Sequence, residues 1–325
     1  MNMKLRIVSV FIVALPWTGG LQAADTQLLN LVMPDAKILA GVNVSQAKTS
    51  PFGQFVISQL QSQDQRLQDV ITKTGFDPRS DLDELLLASN GKQSNPSHLT
   101  LACGTFNVAQ IQAAATAAGA TSEVHKGITI VENLKHGQAF AFLSPTCHSG
   151  FSIAVAGGVA DVKGAIDRQT APATVDAGLL VTANHLSATQ DAWAVSLVPP
   201  PAIQPPANAP NVPAVPSTVF QNVQQAHGGI RFGANVMLNA QLQADSAQNA
   251  SALANVLQFL LNLGQMQAQQ NSQAAAALKT VKITTSGNMV NVSADVPEAQ
   301  AEAVIQSREQ PKVERRQEPR PQRRL

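Results

Sequence analysis

The chain has 325 residues, 44% of them hydrophobic and 13% charged, with a formal net charge of +1. That apolar share supports a sizeable core and excludes wholesale disorder, and the near-neutral charge argues against a general nucleic-acid binder. Twenty glycines, two cysteines and the lack of repeated long apolar runs exclude a collagen, a disulfide-dense miniprotein and a multispan membrane protein.

The first element in chain order is an address. Lys4 and Arg6 precede the uncharged apolar run from Ile7 to Leu15, and Pro16, Gly19 and Gly20 lead into Gln22-Ala23-Ala24-Asp25. This is the layout of a secretory signal peptide, expected over 1–24 with cleavage after Ala23 or Ala24. Nine apolar residues fall short of the ~20 that a spanning helix needs. The expectation is an exported protein, periplasmic or extracellular, with no transmembrane segment after cleavage. Export also gives meaning to the two cysteines. Cys103 and Cys147 both follow the leader, and an oxidising compartment allows them to pair. A bridge would close a loop of about 45 residues and contribute ~3–4 kcal/mol on the loop-entropy model. The alternatives are two small core residues, or thiols too far apart to join.

From Lys37 to Val44 the sequence reads as a buried strand. Ser50-Pro51 then opens a helix, with proline at the first helical position. Phe52, Phe55, Val56, Leu60, Leu67, Val70 and Ile71 give that helix its apolar spacing through Thr74. Gly75 and Asp77-Pro78 end it. Strands are expected over Leu85–Ala88, Leu99–Phe106, Thr121–Val131, Ala139–Leu143 and Phe151–Ala156. Asn107 caps an Ala-rich helix ending at Gly119, and Val159–Asp167 forms another short helix. A connector is expected near Ala171–Ala183.

The pattern then restarts. Asp191-Ala192-Trp193-Ala194-Val195 parallels Asp35-Ala36-Lys37-Ile38-Leu39, and Ser217–Val223 parallels the helix opened by Ser50. Strands follow over Gly229–Val236 and Met237–Ala244. A helix starts at Asp245, with Gln248 completing a capping box and Leu253, Val256, Leu257, Leu260 and Leu261 on one face. Val281–Thr285 and Met289–Val296 flank the hairpin turn Ser286-Gly287-Asn288. Pro297 begins a last helix to Ser307.

The fold class expected is α+β, as two related α/β-sandwich-like halves. Each has mostly antiparallel strands with helices packed on them, over 25–170 and 171–307, the product of an internal duplication. The second half contains a Pro-rich loop, 199–216, in which eight of eighteen residues are proline. The mildly acidic body ends in a tail, 308–325, with seven basic and three acidic residues. With Val313 and Leu325 as its only large apolar residues, the tail is expected to be disordered.

The stretch Leu31-Val-Met-Pro-Asp-Ala-Lys37 resembles an uncharacterised exported bacterial family. Ser50-Pro-Phe-Gly53, Gly75-Phe-Asp-Pro-Arg-Ser-Asp-Leu-Asp-Glu-Leu-Leu-Leu-Ala-Ser89 and Gly104-Thr-Phe106 carry the same likeness. It covers much of the first half and, more loosely, the second. The resemblance implies export and a duplicated α+β fold, and supplies no activity and no catalytic residues.

The reactive side chains point the same way. There is no Gly-x-Ser-x-Gly elbow; Ser144, Ser149 and Ser152 near His148 make the nearest approach to a hydrolase site. The histidines, His98, His125, His136, His148, His185 and His227, show no His-x-x-x-His spacing, and there is no Cys-x-x-Cys. Asp77, Asp81, Asp83 and Glu84 form the densest acidic group. They lack the Asp-x-Asp-x-Asp-Gly spacing of a calcium loop and fit turn and cap roles. Gly157-Gly158 carries neither a Rossmann fingerprint nor a Walker ending. With no tyrosine, and Trp193 the one tryptophan after the leader, base-stacking surfaces are poor.

No catalytic, metal or cofactor residue is therefore assigned. The expectation is a non-enzymatic envelope binding or structural protein, whose partner is an envelope protein or polymer. An anionic partner is expected for the basic tail, and no specific nucleic acid. The alternatives are an exported hydrolase around His148, or a carrier of an apolar ligand between the halves.

Overall fold

A computed structural model describes residues 24–63, 65–133, 137–144, 146–147, 150–200, 217–268 and 272–309. The chain enters through helix α1 (Thr26–Asn30), capped by the Asp25 carboxylate. Strand β1 (Ile38–Asn43) runs directly into α2 (Val44–Lys48), and α3 (Pro51–Gln63) and α4 (Gln65–Thr74) follow. Next come α5 (Pro78–Asp81), β2 (Leu82–Ser89), β3 (His98–Gly104), α6 (Val108–Ala117), β4 (Thr121–His125), β5 (Ile128–Asn133), β6 (Gln138–Leu143), β7 (Ser152–Gly158) and α7 (Val159–Arg168). The remainder is α8 (Ala177–Ser187), β8 (Ala192–Ser196), a 3-10 turn (Ser217–Phe220), β9 (Val223–Phe232), β10 (Asn235–Ala244), α9 (Ala247–Gln267), α10 (Ser272–Lys279), β11 (Lys282–Ser286), β12 (Met289–Pro297) and α11 (Glu298–Glu309).

The twelve strands among the described residues form one antiparallel sheet in the order β11-β12-β10-β9-β8-β1-β2-β3-β7-β6-β5-β4. The fold is α+β. The two strand sets expected as separate sheets are joined where β1 pairs with β8, with Leu39 opposite Val195 and Ala40 opposite Ala194. Outward from that seam, each side presents its first three strands in order and then its last strand.

Several elements depart from the sequence expectation. The expected strand 121–131 is a hairpin, because Lys126 (φ 50°) and Gly127 (φ 81°) both take the left-handed conformation that a tight two-residue turn requires. The expected connector 171–183 is largely α8, capped by Asp176 and anchored by buried Leu179, Ala183 and Leu186. The expected helix at Ser217–Val223 is a single 3-10 turn, after which Val223 is already in a strand. The cap of α9 is Ser246 rather than Asp245; Ser246 accepts the Asn249 N–H. The last helix runs two residues into the expected tail. The expected signal peptide through Ala23, most of the expected Pro-rich loop, and residues 310–325 of the expected tail lie outside the described residues.

The largest core lies on one face of the first half of the sheet. Leu39, Leu86, Leu99, Leu101, Ile153, Val155 and Val195 are essentially inaccessible beneath α1, α7 and α8. Burying a side chain of this size is worth roughly 1.5–3 kcal/mol against leaving it in water. Trp193 joins this core by lying flat over Gly41, where an added Cβ would sit 2.5 Å from the indole ring. On the opposite face, Phe52 of α3 packs with Val42, Ala192 and Phe232, and α11 adds Ala301 and Ile305. Along the same face, α9 covers β10 and β12 through Leu253 and Leu257, against Leu242, Val290 and Val292.

Candidate binding trough

Between those two helical covers the sheet is left open. Strand pairing lines up Ala40, Ala194, Gly228 and Ala240 side by side across β1, β8, β9 and β10. In a pleated sheet, residues directly opposite one another share a face, so these four small residues form the floor of a furrow across the strands. The row on one side is Leu85, Val42, Ala192, Ile230 and Leu238. The row on the other is Ile38, Ser196, Ala226 and Leu242. Leu87 stands at one end of the floor and Val292 at the other. The resulting cavity has a volume of about 380 Å³, within the ~300–1,000 Å³ typical of small-ligand pockets. At ~4.8 Å per strand, the span from β2 to β10 is about 19 Å.

The polarity of the trough is one-sided. Ser196 is the only polar residue among the three rows; the other polar lining residues, His227, Asn239 and Gln241, belong to the opposite face by register. Burial pushes the His227 imidazole below its usual value, which favours the neutral ring. At the end of the trough near Ala192, Asp191 is fully buried. Its Oδ2 accepts the Phe232 N–H at 3.1 Å, and Oδ1 has no partner among the described residues. Burial pushes this carboxyl up to about 7; the Phe232 N–H and the Arg231 charge pull against that rise.

The trough crosses the seam between the two strand sets, and the sequence reading named none of its residues. The signal was present in part. Ile38-Ala40-Val42, Ala192-Ala194-Ser196, Ala226-Gly228-Ile230 and Leu238-Ala240-Leu242 each alternate with period two, with a small residue in the middle. What sequence did not supply was the register that sets the four small residues in one row.

Other flagged residues fall elsewhere. Cys103 on β3 and Cys147 are joined in a disulfide, with their Cα atoms 6.2 Å apart. The Asp25 carboxylate lies within 4.8 Å of both sulfurs. Bonded sulfurs are not the thiolates that a zinc ion takes, so this trio does not make a metal centre. Ala24 is buried, and Ala23 lies outside the described residues.

The acidic group is dispersed into separate tasks. Asp77 caps α5 and grips Arg79 at 2.5 Å, which holds its carboxyl below the usual range. Asp81 accepts the Asp77 N–H at 2.8 Å, Asp83 accepts from Ser45, and Glu84 accepts the Asp25 N–H. Lys48 donates to the carbonyls of Ser80 and Leu82 beside this group, and burial lowers its pKa. Ser144 is exposed and Ser152 begins β7; His136, His148 and Ser149 lie outside the described residues.

No family model matches the chain, and no curated protein sequence is similar to it. Its fold is similar to a solved structure of TP0453 (crystal form III), 11% identical with a TM-score of 0.50, covering 86% of this chain and 97% of that one. Crystal form I of the same protein gives 11% identity and a TM-score of 0.49 over 90% of this chain and 99% of that one. At this identity the likeness extends to the fold alone. Among the described residues, no helix is long and apolar enough to cross a membrane.

Proposed function

We propose that the protein is an exported, non-enzymatic binding module that holds an extended apolar chain, such as a lipid acyl chain, in the central trough. The observation that carries this reading is the row Ala40-Ala194-Gly228-Ala240 between two taller, almost wholly apolar rows. A furrow one residue wide and four strands long suits a thin, flexible, nonpolar ligand better than a compact polar one. Covering its walls removes apolar surface from water at roughly 25 cal/mol per Å². Export rests on the leader sequence, and descent of the two halves from a duplication on their parallel strand starts. The basic tail adds a salt-sensitive contact for anionic groups in the same compartment.

The test is titration of the mature protein with a fluorescent fatty acid. Saturable binding is expected, with a large loss of affinity for Ala194→Leu and Ala240→Leu, which fill the floor from the open side. Val124→Leu, at an exposed position on β4, is expected to bind as wild type does. A wild-type protein that fails to bind the probe, or floor variants that bind it unchanged, would overturn the reading.

A further inference from the structure

Asp25, the residue that follows Ala24 in the leader, is held in an unusual way. Its backbone nitrogen lies 3.2 and 3.3 Å from the two carboxylate oxygens of Glu84, a residue 59 positions away on β2. Both residues are buried, at 5% and 8% exposure. The Asp25 side chain is fixed as well, because Oδ1 accepts the Gln27 N–H at 2.7 Å and starts α1. Buried Leu28 and Leu29 then anchor that helix in the main core.

We propose that processing after Ala24 leaves an N-terminal ammonium on Asp25 that docks on the Glu84 carboxylate. The inference rests on the export reading and extends it to the atom that cleavage creates. Hydrolysis breaks the Ala24–Asp25 peptide bond: water supplies the second oxygen of a carboxylate on Ala24 and a hydrogen to the Asp25 nitrogen. At neutral pH that nitrogen is protonated. The nitrogen already faces both Glu84 oxygens, so a neutral N–H contact becomes a charge-assisted one without movement of the chain. Ala24 is itself packed into the core at 6% exposure. The bond is therefore shielded once the protein has folded, and processing precedes folding. A cut one residue earlier places the ammonium on Ala24 instead, leaving an ordinary amide against Glu84. Buried ion pairs depend strongly on both partners, so removing the carboxylate strands the ammonium.

The experiment expresses the full chain through an export pathway and determines the mature N-terminus by intact mass and N-terminal sequencing. The α-amine of the folded protein is then labelled with an acylating reagent at pH 7, with and without Glu84→Gln. Thermal melts compare Glu84→Gln in this protein and in one that retains Ala23-Ala24. The expected results are a start at Asp25, slow labelling that Glu84→Gln accelerates, and a Tm loss several degrees larger in the processed protein. A start at Ala24 overturns the inference and leaves export standing; an unprocessed chain overturns both. A start at Asp25 with freely labelled amine, or with equal Tm losses in the two proteins, overturns the ion pair alone. If Glu84→Gln does not fold, slow labelling of the native amine relative to the denatured chain supports the docked terminus, and equal rates overturn it.

Discussion

The two sides of the β1–β8 seam are built on different plans. In the first half, β2, β3, β6 and β7 bury one face beneath α1, α7 and α8 and keep the other half-buried, and their strands carry apolar residues almost throughout, as in Leu85-Leu86-Leu87-Ala88 and Ala139-Phe140-Ala141-Phe142. In the second half, α9 covers one face of β10 and β12, and β9 meets α8 on the other face, where Gln225 donates to Thr182. There Ala226, Leu242 and Val292 turn toward α9, while the alternate positions are His227, Gln241 and Asn291. A strand whose second face is partly covered has less need of alternation than a strand with one wet face. The trough lies where the plans meet, because on its face the helices of each half stop short of the seam, whereas α8 covers β1 and β8 on the other face. An apolar floor is left there without a helix above it.

The largest expected effect separates the halves directly. Leu101→Ala, at a fully buried position in β3, is expected to cost about 2–5 kcal/mol of unfolding free energy. Leu242→Ala, half-buried in β10, is expected to cost about 1–2 kcal/mol, since less area leaves contact. Equal losses in urea titrations of the two variants would erase the distinction.

The disulfide sharpens the same contrast, since it ties together only first-half elements. Reduction, or Cys103→Ser with Cys147→Ser, is expected to remove ~3–4 kcal/mol. Hydrogen exchange is expected to rise in β3 and β7 before β10 and β12. Uniform loosening of both halves would count against the contrast.

Asp191 probes the seam. Its folded pKa of about 7 lies above the ordinary 3.8, so its protonated form is the one the fold favours. The stability it contributes is complete at pH below about 4 and is lost as pH rises from there to about 7. Asp191→Asn is therefore expected to raise stability at pH 8 by on the order of 2–4 kcal/mol, and to give little gain at pH 4. Unfolding curves at both pH values decide it; a gain of the same size at pH 4 would contradict the burial argument.

Local chemistry made much of the fold legible. Asn107 was readable as a cap and accepts the Gln110 N–H as one. Ser286-Gly287-Asn288 was readable as a turn and joins β11 to β12. Where sequence failed, longer-range forces decided. Helix α8 carries Gly178, Thr182 and Asn184, which are poor helix formers, and it is held by the burial of Leu179, Ala183 and Leu186 under the sheet. At Lys126-Gly127 the β-like pattern continued through the turn, so one long strand was expected where two short ones pair. The trough was the least legible feature. Its floor depends on residue 40 meeting 194, and 228 meeting both 194 and 240, and no local pattern encodes such register.

The seam also sets an order of assembly. Ala40 and Ala194 are separated by about 150 residues of chain, and contacts between such distant partners form slowly. Strand β1 can pair with β2 early, since only a few tens of residues lie between them. Its other edge must wait for β8. A bare strand edge is a template for pairing with any passing chain, so the interval before β8 arrives is the stage most exposed to aggregation. The first strand to emerge is thus among the last to be fully paired.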